Sequence, residues 1–231
     1  MATREITVKL SHRHYLDRWL GLYEYDEYKK WLFSGIIRIL RKYVKSGRIL
    51  EIGCAKGYLT YILNKMGYEA IGVDISLTAL KQGLRIDSVM LDAEQLSFRN
   101  NCFNAVVSVH TLEHLPRPER SIAEIFRVLN KNGLFLAVTP DKDSVLAKLG
   151  YRLVEYTALK NPYHVGLMNR KELRAILKKS GFKAIVILPF HNGFFGFPII
   201  HKLTKRYFIP LPISTRFFIP FSHHQLVVAL K

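Results

Sequence analysis

The sequence predicts an α/β fold in which a largely parallel sheet carries helices on both faces. Within residues 48–57, an apolar run from Ile49 to Ile52 meets Gly53 and Gly57, and a helical pattern begins directly after them. Apolar strands then alternate with helix-patterned segments along the chain, which indicates parallel strands joined by crossover helices. A length of 231 residues suits one large domain with a substantial core.

Short apolar runs predict the strands of this sheet, which we place at 49–52, 69–73, 88–91, Phe103–Val109, Leu134–Val138, Ala184–Leu188 and about Gln225–Leu230. A helix is expected over 57–66, since Gly67 is a favourable residue just after a helix end. Ser76 is placed to cap the helix that follows the second strand.

Two later helices carry stronger signals. Pro116 and Pro118 introduce a helix that ends at Gly133, and its apolar stripe consists of Ile122, Ile125, Phe126 and Leu129. Asn169 and Glu172 have the spacing of a capping box, which predicts a helix that starts there and ends at Gly181.

The chain divides into a helical preface over residues 1–46 and a main domain over 47–231. The preface contains a predicted helix from about Glu27 to Val44, preceded by aromatic residues that either anchor the segment or cover a ligand pocket as a lid. The main domain includes an unusual insertion at 189–223, with five prolines, nine phenylalanines or tyrosines and four lysines or arginines without a carboxylate.

The chain is strongly basic, with 35 lysines and arginines against 18 aspartates and glutamates and a net charge of +17. Such a field favours an anionic membrane surface, RNA or an acidic substrate, and it also serves solubility. Cys54 and Cys102 have neither metal-ligand spacing nor a disulfide pattern, so we expect a reducing compartment and no metal. Without an apolar signal core or a convincing membrane span, a cytoplasmic protein is expected, at most peripheral to the membrane.

Polar residues stand at the ends of four consecutive predicted strands. These are Glu51, Asp74, Asp92 and His110. In an open parallel sheet the ligand binds beyond the carboxyl ends of the strands, so these residues define a candidate site. Asp74 follows the glycine turn by about twenty residues, where an acidic side chain can bind the hydroxyls of a ribose.

Two ligand classes are compatible with a glycine turn that is followed by a ribose-binding aspartate. A dinucleotide-binding loop needs Gly-x-Gly-x-x-Gly, whereas this loop has Ala55 and Tyr58 at the second and third glycine positions. The carboxylate of Glu51 would also repel a pyrophosphate. S-adenosylmethionine has no phosphate and carries an ammonium, a sulfonium and a ribose, which suit Glu51 and Asp74. The methyl donor is therefore preferred.

The motifs that support this choice occur in a fixed order, as Ile49-Leu50-Glu51-Ile52-Gly53-Cys54-Ala55-Lys56-Gly57, Gly72-Val73-Asp74-Ile75-Ser76, Asp92-Ala93-Glu94-Gln95-Leu96-Ser97-Phe98, Phe103-Asn104-Ala105-Val106 and Leu112-Glu113-His114-Leu115-Pro116. Together they resemble class I S-adenosylmethionine-dependent methyltransferases, in particular the small-molecule methylases related to ubiquinone and menaquinone biosynthesis enzymes. The resemblance covers roughly residues 47–188 and departs at Ala55, usually glycine, and Asn104, usually aspartate. It implies a Rossmann-like, doubly wound sheet of seven strands, the last of them antiparallel.

The resemblance also implies roles for individual residues. Glu51 would orient the methionine ammonium, and Asp74 would bind the ribose. The backbone of the turn would approach the cofactor at Gly53, Cys54, Ala55 and Gly57. The adenine would contact Ile75, Asp92, Ala93 and Glu94.

A general base is needed when the acceptor must lose a proton. His110 is the first candidate, and its alternative role is structural, with its backbone touching the cofactor. His164 is a second candidate, and its alternative is an ordinary surface histidine. Glu113 and His114 are expected to start the next helix and hold the loop.

The predicted function is methyl transfer from S-adenosylmethionine to a small-molecule or lipid-like acceptor, with the 189–223 insertion over the acceptor or on a membrane surface. The alternative is an RNA methyltransferase, or a polyanion-binding module that keeps the fold. The fourth strand is followed by His110-Thr111-Leu112-Glu113 rather than an Asn-Pro-Pro-Tyr-type motif, which disfavours methylation of a base nitrogen.

Overall fold

The computed structural model describes residues 27–144, 161–190, 194–195, 208–209 and 224–231. The helices are α1 (Glu27–Tyr43), α2 (Tyr58–Lys65), α3 (Leu77–Lys81), α4 (Pro118–Val128) and α5 (Arg170–Lys179), with a 3₁₀ turn at Leu112–His114. The strands are β1 (Arg48–Ile52), β2 (Glu69–Asp74), β3 (Ser88–Met90), β4 (Phe103–Val109), β5 (Leu129–Pro140), β6 (Ala184–Phe190), β7 (Phe194–Phe195), β8 (Phe208–Ile209) and β9 (His224–Leu230).

Seven strands form one sheet in the order β3-β2-β1-β4-β5-β9-β6. The pairs from β3 to β5 are parallel, whereas β9 runs antiparallel to both β5 and β6. The order reverses beside β1, which places a topological switch point between β1 and β4. The predicted fold class is confirmed, including the antiparallel last strand.

The predicted helix signals work as expected. Ser76 caps α3, since its hydroxyl accepts a hydrogen bond from the Ala79 N–H (3.0 Å). Asn169 and Glu172 form a reciprocal capping box at the start of α5. Gly67 has φ 88, the left-handed conformation in which glycine follows a helix end.

The boundary between α4 and β5 differs from the prediction. The sequence pattern predicts that Leu129 belongs to the apolar stripe of the helix and that the strand starts at Leu134. In the structure Leu129 is already extended (ψ 139) and pairs with Phe103 of β4. A bulge separates this pair from the regular ladder, and it contains Asn132 at φ 63. An apolar side chain is expected to be buried in either arrangement, so the hydrophobic pattern does not distinguish the helix from the strand.

The two faces of the sheet bury separate apolar clusters because strand residues alternate in direction. On one face, α1 and α2 pack on a cluster that includes Ile49, Ala105 and Val107. On the other, α4 and α5 pack on a cluster that includes Leu50 and Val106. Because the strands from β3 to β5 run parallel, their carboxyl ends meet at one edge of the sheet, called here the carboxyl edge.

Parts of two predicted segments lie outside the described residues. These are the aromatic residues that precede α1 and most of the 189–223 insertion. Within the insertion, Phe194 pairs with Ile209 and Phe195 with Phe208. No helix among the described residues is long and apolar enough to cross a membrane.

Candidate active site

The glycine turn after β1 wraps tightly around the end of β2. The backbone N–H groups of Gly53 and Cys54 both donate to the Val73 carbonyl (2.8 and 3.0 Å). Gly53 has φ 74 and Gly57 has φ 76, so both need the left-handed conformation that glycine adopts without strain. The conformation of the turn therefore requires glycine at both positions.

Asp74, at the end of β2, binds the backbone on both sides of the site. Its Oδ2 accepts a hydrogen bond from the Ala55 N–H (2.8 Å), and its Oδ1 accepts one from the Ser76 N–H (2.8 Å). Ala55 occupies the left-handed region (φ 48), which aims its N–H at the carboxylate. The adjoining Ile75 leaves 44% of its surface exposed. The end of β2 thus pairs a fixed carboxylate with an apolar surface.

Glu51 is a buried carboxyl at the end of β1. It is 4% exposed, and its Oε2 accepts hydrogen bonds from the Thr60 N–H (2.8 Å) and the Thr60 hydroxyl. Burial raises the pKa of Glu51 to about 8, although the hydrogen bonds from Thr60 lower it. The negative charge of Asp74 adds to the increase. A cation bound nearby would favour the ionised form, so this carboxyl is suited to an ammonium group.

Cys54 turns its side chain into the protein. A Cβ added to Gly72 would lie 2.7 Å from its sulfur, so the thiol fills the space that this glycine leaves. Burial, with the charges of Glu51 and Asp74, raises the pKa of the thiol. Only the backbone of Cys54 is therefore available to a ligand, and the side chain is unsuited to nucleophilic chemistry.

The turn after β3 holds the third predicted group. Asp92 is exposed, and its Oδ1 accepts a hydrogen bond from the Glu94 N–H (2.8 Å). The Glu94 carboxylate accepts hydrogen bonds from the N–H and Nε of Arg117 (2.8 and 2.7 Å). Ala93 is buried. All three residues lie at the carboxyl edge, but the Glu94 side chain is directed to Arg117.

His110 ends β4 in a conformation that is uncommon outside glycine. Its φ is 53, and its N–H donates to the Val138 carbonyl of β5 (2.8 Å). Its Nδ1 lies 3.3 Å from Oε1 of Glu113, and its ring meets the His224 ring edge to face at 4.8 Å. Backbone strain of this kind concentrates at functional sites.

Glu113 is the buried centre of a polar network behind His110. Its side chain is 1% exposed, and its Oε2 accepts a hydrogen bond from the Thr139 hydroxyl (2.9 Å). Burial alone would raise the pKa of Glu113, but the hydrogen bond from His110 and the neighbouring histidines lower it to about 2. The carboxylate is therefore ionised at neutral pH.

His114 and His164 complete the network. Their rings meet edge to face at 4.7 Å, and His114 Nδ1 lies 3.1 Å from the Tyr163 carbonyl oxygen. Burial lowers the pKa of His114 to about 4, although the charge of Glu113 opposes this change. Glu113 and His114 lie in the 3₁₀ turn Leu112–His114, close to their expected place at the start of a helix.

Three residues of the site were not predicted from the sequence. Thr60 and Thr139 bind the buried carboxylates, and no sequence pattern identified either as a partner. His224, in contrast, begins β9, where it is paired with Pro140. The first residue of an antiparallel strand lies at the same edge as the last residues of its parallel neighbours. Its place at the start of that strand was therefore a usable signal.

The residues at the carboxyl edge fit S-adenosylmethionine. Glu51, Asp74 and Asp92 offer carboxylate oxygens at three neighbouring strand ends, and Ile75 offers an apolar surface beside Asp74. The ammonium, the ribose hydroxyls and the adenine of this cofactor are the groups that such acceptors and surfaces recognise.

Comparison with known proteins identifies the family of the chain. A family model described as a methyltransferase domain matches residues 23–186. The chain is 28% identical over 169 residues to an uncharacterized protein of Methanocaldococcus jannaschii, a match covering 69% of this chain and 79% of the relative. It is 27% identical over 149 residues to a probable S-adenosylmethionine-dependent methyltransferase of Mycolicibacterium smegmatis, covering 63% of this chain and 55% of the relative. A ubiquinone biosynthesis O-methyltransferase of Nitrosococcus oceani is 32% identical over 95 residues, or 37% of this chain and 40% of that protein.

Solved structures share the fold. A methyltransferase from Archaeoglobus fulgidus superimposes with a TM-score of 0.64 at 18% identity, covering 87% of this chain and 94% of that one. The Haemonchus contortus phosphoethanolamine N-methyltransferase 2, solved with S-adenosyl-L-methionine, gives 0.64 at 20% identity, covering 86% of this chain and 52% of that one. The chain therefore belongs to the methyltransferase domain family and is a class I S-adenosylmethionine-dependent methyltransferase.

Proposed function

We propose that this methyltransferase acts on a small-molecule or lipid-like acceptor and that His110 removes the acceptor's proton. The observation that carries the proposal is the chain of contacts from His110 through Glu113 to Thr139 at the end of β4. A histidine held by a buried carboxylate is the usual arrangement of a general base.

The cofactor would be held by the three acidic strand ends. Asp74 would accept hydrogen bonds from the ribose hydroxyls, and Glu51 would attract the ammonium. Ile75, Asp92 and the backbone of Ala93 would surround the adenine. Because Glu94 already binds Arg117, we assign it to shaping this turn. The backbone of Gly53, Cys54, Ala55 and Gly57 would lie against the methionine portion.

When bound, S-adenosylmethionine would supply an activated methyl group for an in-line displacement. The protein must then place the acceptor atom and take up its proton. When the Nδ1–H of His110 donates a hydrogen bond to the Glu113 carboxylate, Nε2 retains the lone pair that a base requires. The ionised Glu113 would stabilise the imidazolium that forms, and Thr139 would keep the carboxylate in place.

The size of the acceptor is inferred from similar proteins. One relative is named for ubiquinone biosynthesis and one structural neighbour for phosphoethanolamine. Both names describe non-macromolecular chemistry, which supports a small-molecule or lipid-like acceptor for this chain.

A labelled-methyl assay tests this function. The full chain is incubated with methyl-labelled S-adenosylmethionine and fractionated extract of the source organism, and we expect label in the small-molecule or lipid fraction. Label that enters RNA or protein instead would contradict the proposed acceptor class.

Two variants separate cofactor binding from proton removal. Asp74→Ala should weaken S-adenosylmethionine binding in calorimetry and abolish transfer. His110→Asn should bind the cofactor within about threefold of wild type, because asparagine tolerates the left-handed conformation, yet transfer about 100-fold or more slowly. Unchanged transfer by His110→Asn would exclude the base role.

A further inference from the structure

Three side chains of the types that bind metal ions lie close together next to His110. They are Glu113, His114 and His164, and one ligand atom from each lies within 4.8 Å of the other two. Glu113 is buried, and the two histidines are half-buried. The third member is fifty positions along the chain from the second. We call this set the Glu113–His114–His164 cluster.

Neighbouring groups orient the cluster as they orient ligands in metal sites. His114 Nδ1 lies 3.1 Å from the Tyr163 carbonyl oxygen, which can only accept a hydrogen bond. Nδ1 therefore carries the proton, and Nε2 retains a lone pair. The Thr139 hydroxyl donates to Oε2 of Glu113 (2.9 Å). Outer contacts of this type fix the tautomer and direction of metal-bound histidines and carboxylates.

The backbone is shaped to bring His164 to this place. The Gly166 N–H donates to the Glu113 carbonyl (2.8 Å). A Cβ at Gly166 would overlap the Leu115 carbonyl oxygen and lie 2.7 Å from that of Leu112. Glycine thus allows the segment that carries His164 to pack directly on the 3₁₀ turn.

We propose that the Glu113–His114–His164 cluster binds one divalent transition-metal ion. Two imidazoles and one carboxylate suit Zn²⁺, Mn²⁺, Fe²⁺ or Co²⁺ better than Mg²⁺ or Ca²⁺, which prefer oxygen ligands. Three protein ligands leave coordination positions open for a further ligand. The ligand atoms would close to about 3–4 Å from one another around an ion at about 2.0–2.3 Å, a movement within reach of side-chain rotation.

The position of the ion gives it a use in the reaction. Oε1 of Glu113 lies 3.3 Å from Nδ1 of His110, so the ion would sit beside the candidate base. An open coordination position there would accept an oxygen atom of the acceptor. This use depends on the proposed function, whereas binding of the ion does not.

Metal binding is tested on the untagged full chain after dialysis against a chelator. Titration with Co²⁺, followed by calorimetry and by visible absorption, should give one ion per chain and the bands of a histidine-ligated ion. His164→Ala and Glu113→Gln should each weaken binding by about 100-fold or more, since each alters a direct ligand and the loss of an outer contact alone costs about 10- to 100-fold. His224→Gln removes an imidazole from the same edge but from outside the cluster, and it should bind within about threefold of wild type.

The titration contains no cofactor or acceptor, so its outcome does not depend on the proposed function. Absence of Co²⁺ binding by wild type would overturn the proposal, and so would stoichiometric binding that the ligand variants leave unchanged. Circular dichroism checks that each variant is folded. If His164→Ala does not fold, the near-isosteric Glu113→Gln provides the same test.

Discussion

Substitution of Glu51 by glutamine tests the ionisation of the buried carboxyl at the end of β1. Glutamine keeps the size of the side chain and an oxygen that can accept the hydrogen bond from the Thr60 N–H. It removes the ionisable group. The pKa of Glu51 is about 8 in the folded protein against an ordinary value of 4.5. The folded wild-type protein therefore retains a proton that the unfolded chain has already lost between these values.

The sign and size of the effect follow from this difference. A carboxyl with a raised pKa contributes stability that is fully present below pH 4.5 and is lost as the pH rises through about 8. Each pH unit in this interval changes the free energy of unfolding by about 1.4 kcal/mol. Between about pH 5 and pH 8, wild type should lose about 3 to 4 kcal/mol relative to Glu51→Gln.

Urea unfolding of both proteins, followed by circular dichroism, measures this difference at several pH values. Other titrating groups are common to the two proteins and cancel. If the difference in unfolding free energy stays constant within about 1 kcal/mol, the raised pKa is refuted. With S-adenosylmethionine bound, the ammonium should favour the ionised carboxyl, so binding near neutral pH should release protons, which calorimetry in two buffers detects.

Three further substitutions probe the backbone and helix contacts. Gly53→Ala should weaken S-adenosylmethionine binding and destabilise the protein by about 2 kcal/mol or more, since the new methyl group overlaps Thr111 and φ is 74. Thermal unfolding of a Gly53→Ala/Thr111→Ala double variant checks the clash. A double variant that is no more stable than Gly53→Ala would argue against it. Gly166→Ala should lower both the Tm and the affinity for Co²⁺, because the new methyl group overlaps the Leu115 carbonyl oxygen, a backbone atom that cannot rotate away. Wild-type values of both quantities would exclude this close contact between Gly166 and Leu115. Asn169→Ala should cost about 1 kcal/mol in urea unfolding through loss of the capping box, and no measurable change would contradict that role.

The fold could be predicted because its information is local. Alternation of strands and helices, the Ser76 cap and the Asn169–Glu172 pair each act within a few residues, and each appears as expected. The start of β5 could not be predicted, because Leu129 is buried in the strand and an apolar residue is also expected to be buried at the end of a helix stripe. Its partner Phe103 is the residue that decides between the two.

The same distinction between local information and contacts of distant residues applies to the candidate site. Glu51, Asp74, Asp92 and His110 could be placed because the topology gathers parallel strand ends at one edge. The Glu113–His114–His164 cluster depends on contacts across some fifty residues, and no sequence spacing expresses them. The sequence accordingly predicted no metal, whereas the fold brings together two histidines and a carboxylate that could hold one.

The place of β9 in the sheet has a consequence for synthesis of the protein. β9 separates β5 from β6, and Gln225 binds the Pro140 carbonyl across 85 positions of the chain. During translation β5 therefore has an unpaired edge until β9 has left the ribosome, and such edges promote aggregation. A chain truncated before His224 would keep that edge open permanently. We expect such a truncated chain to accumulate in inclusion bodies or bound to chaperones.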